Sequence, residues 1–89
     1  MDISQAKEKL KQLGYTNIYL WEDPPGTHYH WHTHPEDEVR LVLEGEITIG
    51  TEDKVYHLKP GDLLEVPAGT RHWAKTEGGV KYLCGTRVR

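Results

Sequence analysis

Glycine and proline interrupt this chain so often that most of it cannot form long helices. From residue 24 onward the breaks fall at Pro24-Pro25-Gly26, Gly45, Pro60-Gly61, Pro67-Ala68-Gly69 and Gly78-Gly79. Proline fixes its own φ and lacks an N–H, and glycine reaches the positive φ that tight turns need, so each break reads as a turn. The pieces between them are short, and β-branched or aromatic residues recur in them. They predict strands over 17–22, 27–32, 39–43, 46–49, 55–58, 63–66, 71–75 and 80–88. Short strands at regular spacing predict an all-β sandwich or barrel. One segment departs from this pattern. Ile3, Ala6, Leu10 and Leu13 recur at helical spacing, so 3–13 reads as a helix, with Asp2 as cap, Gln5 at the reciprocal position and Gly14 as the stop. The expected division is a helix over 1–14 and a barrel over 15–89, within the single domain that 89 residues allow.

Charge and apolar content exclude several functions. The net charge is −3, and no basic stripe or tail offers itself to nucleic acid. No apolar run approaches the roughly 18 residues of a membrane-spanning helix. The start, Met1-Asp2-Ile3-Ser4, lacks the charged and apolar regions of a signal peptide. Cys84 is the only cysteine and cannot pair within the chain. A soluble cytoplasmic protein is expected.

The histidines carry the chemistry. His28, His30, His32 and His34 occupy alternate positions, so on a regular strand all four side chains point to one face. His32 and His34, with Glu38 four residues on and a distant His72, make a set of nitrogen and oxygen donors for one divalent metal. His30 and His32 with Glu36 satisfy the same local spacing. Imidazoles with one carboxylate favour Fe, Mn, Ni, Zn or Cu over Mg and Ca, which prefer all-oxygen shells. Four protein ligands leave up to two positions open on an octahedral ion, where water, substrate or dioxygen can enter.

The frame around these residues resembles the two signature motifs of the cupin superfamily. The first runs Gly26, five residues, His32-Thr33-His34, three residues, Glu38, six residues, Gly45; the second runs Gly61, five residues, Pro67-Ala68-Gly69, two residues, His72. Counting from His30 and Glu36 instead reaches Pro24 and Leu43, so the resemblance selects His32, His34, Glu38 and His72 as ligands. It sharpens the barrel to a jelly roll. His30 is then expected to line the pocket below the metal, as proton shuttle or substrate contact. The family's asparagine four residues after the second-motif histidine is replaced by Thr76, at a position that is not a ligand. The stretches 36–45 and 61–73 look like the acireductone dioxygenase branch, which uses three histidines and a glutamate on Fe or Ni to cleave an enediol with dioxygen. Those enzymes are considerably longer, so the similarity speaks for the metal shell more than for the substrate.

Arg40 shares parity with Glu38 and is expected to face the metal. A guanidinium in such a cavity needs an anion or a carboxylate beside it. It either recognises a carboxylate, phosphate or enediolate of the ligand, or pairs with Glu38, Glu36 or another wall carboxylate. Val39, Leu41, Leu43 and Trp73 point the opposite way and require cover. The helix supplies some, and a second copy of the chain, in a homodimer, is expected to supply the rest. Tyr29 and Trp31 are expected on the face away from the ligands, and Tyr15, Tyr19, Trp21 and Tyr56 in the core or an interface. Tyr82 and Cys84 share a parity that could close the pocket; His28 and His57 receive no role. Two functions fit. One is a metal-dependent enzyme, an Fe(II)-type dioxygenase acting on a small anionic or enolisable molecule, with His30 moving a proton and Arg40 holding an anion. The other is a non-enzymatic module that binds a metal or small ligand. A Zn- or Mn-dependent isomerase lies between them.

Overall fold

A computed structural model of the chain describes residues 2–87. The helix α1 spans Ile3–Gln12, and Asp2 caps it by accepting the Ser4 N–H at 2.9 Å. Eight strands follow: β1 (Asn17–Asp23), β2 (His28–His32), β3 (Asp37–Gly45), β4 (Ile47–Thr51), β5 (Val55–Leu58), β6 (Leu63–Val66), β7 (His72–Lys75) and β8 (Val80–Arg87). Each predicted strand is present. The last was expected to reach Val88, which lies outside the described residues.

The strands form two four-stranded antiparallel sheets, ordered β1-β8-β3-β6 and β2-β7-β4-β5. Consecutive strands thus alternate between sheets for much of the chain, which is the jelly-roll arrangement. Gly45 sits at φ +76° where β3 hands over to β4, and a Cβ there would lie 2.2 Å from the Gly79 carbonyl oxygen. Only glycine fits this crossing. Thr76 secures the same end. Its hydroxyl donates to the Glu46 carbonyl at 2.7 Å and accepts the Gly79 N–H at 3.0 Å.

Two apolar clusters hold the molecule. Between the sheets lie Val42, Ile47, Ile49, Leu58, Ala74, Val80, Tyr82 and Cys84. On the outer face of the first sheet, Ala6 and Leu10 of α1 and Tyr15 cover Val39, Leu41 and Leu83. This corrects one ground for the homodimer. Val39 and Leu41 are fully buried within a single chain, so the helix suffices for them, and Leu43 packs partly against the same cluster. Trp73 is half-buried because its indole lies flat over Gly50, where a Cβ would meet it at 2.2 Å.

Candidate metal centre

The site lies between the sheets, where β2 and β7 of one sheet face β3 of the other. β2 is not a regular strand. Tyr29 pairs with Ala74 and His32 with His72, so three steps along β2 match two along β7. The extra residue is a β-bulge, and it reverses the alternation of side chains. Ala74 and His72 both face inward, hence Tyr29 and His32 do too. The four-histidine run is therefore split. His32 and His34 face the cavity, while His28 and His30 are exposed on the outer surface with their rings 4.5 Å apart. The expectation that His30 lines the pocket is overturned by this bulge, and so is the expectation that Tyr29 faces away from the ligands. No periodicity signals a bulge in advance, which is why strict alternation misassigned both residues.

His32, His34 and His72 come together. Their nitrogen ligand atoms lie within 4.8 Å of one another, and the ring centres are 4.3, 4.7 and 5.3 Å apart. Two of the rings have their tautomer set by the backbone. His32 Nδ1 lies 2.6 Å from the His30 carbonyl, and His72 Nδ1 lies 2.9 Å from the Thr70 carbonyl. A carbonyl only accepts, so Nδ1 carries a proton, and in the neutral ring the lone pair is then on Nε2. That is the state in which an imidazole binds a metal with a backbone carbonyl holding its orientation. Burial lowers the pKa of His34 and of His72, and the neighbouring imidazoles lower that of His72 further. Both rings are thereby kept neutral, as metal binding requires. The donor set fits a borderline transition metal.

Glu38 stands beside this triad. One carboxylate oxygen is 2.6 Å from an Arg40 nitrogen, and the other is 3.1 Å from His34 Nδ1. Arg40 lines the cavity, directly across from Cys84 on β8. The bulge in β3 falls between Val42 and Glu44, beyond both residues, so their shared parity survives. Arg40 therefore does face the cavity and also pairs with Glu38.

The cavity has a volume of about 170 Å³, small beside the usual ligand pocket. Away from the histidines its wall is apolar and aromatic, including Trp21, Tyr29, Tyr82, Ile47 and Ile49. The polar tips of the aromatic side chains are spoken for. Trp21 Nε1 and the Tyr29 hydroxyl donate to one oxygen of buried Asp23, at 2.8 and 2.6 Å, and the Tyr82 hydroxyl donates to the other at 2.7 Å. Burial, reinforced by Asp23, raises the pKa of both tyrosines. Burial pushes the Cys84 thiol up to about 11, so it stays a neutral thiol. Trp21 and Asp23 carried no spacing signal as site residues; their roles come from contacts between strands distant in sequence.

Comparison with known proteins agrees with this geometry. The family model described as cupin domain matches residues 19–85. An acireductone dioxygenase of Synechococcus sp. (strain CC9902) is 43% identical over 60 residues, covering 63% of this chain and 32% of that protein. An acireductone dioxygenase of Sulfurihydrogenibium sp. (strain YO3AOP1) is 30% identical over 93 residues, covering 93% of this chain and 52% of the other. The chain thus spans about half or less of the length of these relatives. Among solved structures, a cupin superfamily protein of Desulfitobacterium hafniense superposes with a TM-score of 0.74 at 30% identity, over 81% of this chain and 66% of the other. The DMSP lyase DddQ of Ruegeria pomeroyi gives 0.72 at 30% identity, over 79% and 36%. With the jelly roll, the histidine triad and the matched span in agreement, the chain belongs to the cupin family.

Proposed function

We propose that this cupin binds one divalent transition metal per chain on His32, His34 and His72, with Glu38 as fourth ligand, and acts as a dioxygenase on a small anionic or enolisable molecule. The observation that carries the reading is the triad itself: three imidazoles, two of them with Nδ1 held by a backbone carbonyl, in a cavity beside a guanidinium. Glu38 joins the shell by turning the oxygen now 3.1 Å from His34; Arg40 keeps the other and so fixes the rotation. Fe(II), when bound, supplies Lewis acidity and a place for dioxygen. The protein's own part is to hold and orient the substrate. Arg40 carries a permanent charge and offers its remaining donors to a substrate carboxylate or enediolate. The aromatic wall accepts the apolar remainder of a molecule small enough for the cavity. Local similarity to acireductone dioxygenases supports oxygenation. Metal analysis of protein purified anaerobically without a tag, followed by an oxygen-electrode assay with enediols and 2-keto acids, tests it. Iron with substrate-dependent dioxygen consumption is expected; zinc with no consumption would overturn the dioxygenase reading.

One observation favours a second reading. The cavity, about 170 Å³, is small beside the usual ligand pocket, and a non-enzymatic module needs no more than the metal and the cavity. We propose further that two chains associate through the edges at β1 and β2, where Leu20, Trp21 and Trp31 are 45%, 48% and 42% exposed. Self-association there would cover apolar side chains that α1 does not reach.

A further inference from the structure

The bulge that delivers His32 to the cavity also leaves a histidine pair outside. His28 and His30 are both exposed on β2, an edge strand of its sheet, two residues apart on one face. A metal about 2.0–2.1 Å from an imidazole nitrogen lies about 3.2 Å from that ring's centre. Two such rings on neighbouring positions of one ion, at angles of about 90° to 109°, then have centres about 4.5–5.2 Å apart. The His28 and His30 ring centres are 4.5 Å apart. The spacings inside the cavity, 4.3 to 5.3 Å, span the same range. The outer pair thus has the ring-centre spacing of two ligands of one ion.

We propose that His28 and His30 form a second metal site, a shallow two-histidine chelate on the outer surface that takes Ni2+, Cu2+ or Zn2+ and exchanges it freely. Imidazole-only ligation suits these ions. Two protein ligands leave the remaining positions to water, so the outer site binds more weakly than the cavity. Lys75, directly across from His28 on β7, weakens it again through its charge; its ammonium lies over the Trp73 ring at 5.9 Å. Because the two sites sit on opposite faces of β2, they fill independently.

Equilibrium dialysis of the untagged protein against Ni2+ separates them. Wild type is expected to bind two ions per chain in two classes, the weaker by at least tenfold. The double variant His28→Ala/His30→Ala should keep the tight class and lose the weak one. Both side chains are exposed, so its fold is expected to stand, and an unchanged circular dichroism spectrum checks this. His72→Ala should do the reverse, and His57→Ala should change neither class. A weak class that persists in the double variant, or that vanishes in His57→Ala instead, overturns the proposal. Failure of the cavity reading shows up separately, as a tight class unaffected by His72→Ala.

Discussion

At the scale of single residues, the Glu38–Arg40 pair links stability to binding. Both side chains are largely buried, 8% and 17% exposed. Glu38→Ala leaves a guanidinium without its partner, which for a buried pair costs about 3–5 kcal/mol. The variant should unfold at markedly lower denaturant and also hold less metal. Unchanged unfolding would mean that solvent reaches Arg40 freely. Arg40→Leu differs. It should leave metal content near wild type while weakening oxalate or succinate binding, since losing a desolvated charged partner is typically worth about 2–5 kcal/mol. Equal anion affinities in the two proteins would remove Arg40 from the binding site. Acid should act through His34 and His72. Their folded pKa values are lowered, so below the unfolded value of about 6.5 the unfolded chain takes up more protons than the folded one. Metal-free protein should therefore lose stability as pH falls from about 6.5 towards the lowered folded values. A double variant, His34→Gln/His72→Gln, should lose less over that range, and parallel urea midpoints for the two would contradict the assignment. These residues were legible because the spacing within each of the two motifs is local. Tyr29 was not, because whether it or His30 faces inward depends on how many residues β2 sets against β7.

At the scale of elements, turns and strands could be read from Gly/Pro punctuation, and the helix from four apolar residues at helical spacing. What covers what could not. Of those four, Ala6 and Leu10 are buried, whereas Ile3 and Leu13 are 39% and 38% exposed, so only the middle of α1 seals the sheet. Leu10→Ala would open a cavity over Val39, Leu41 and Leu83, at a cost of about 2–5 kcal/mol. Urea unfolding measures this, and a loss well under 1 kcal/mol would mean that α1 is not docked as described. The two bulges matter for the same reason. The one in β3 falls beyond Glu38 and Arg40 and leaves them on their expected face. The one in β2 falls inside the histidine run and divides it. A one-residue difference in pairing decides which imidazoles reach the cavity, and alternation in a single strand contains no information about its neighbour.

At the scale of the whole molecule, the two sheets bring together in one cavity the imidazoles, Glu38 and Arg40 with the aromatic rings tethered to Asp23, and the Arg40 guanidinium lies 5.8 Å from the centre of the Tyr82 ring. The jelly roll follows from the strand order and the candidate metal centre from three histidines; the dimensions of that cavity limit what small molecule can enter. The exposed side chains at the β1 and β2 edges give a further expectation, association into a species of about twice 10.3 kDa by sedimentation at micromolar concentration. A monomer persisting at high concentration would mean these edges are free. The central claim is that His32, His34 and His72 build a metal centre, and the most direct test is the metal retained through gel filtration by untagged wild type and by His72→Ala. The account predicts close to one transition metal ion per wild-type chain and little in the variant; equal retention by the two proteins would contradict it.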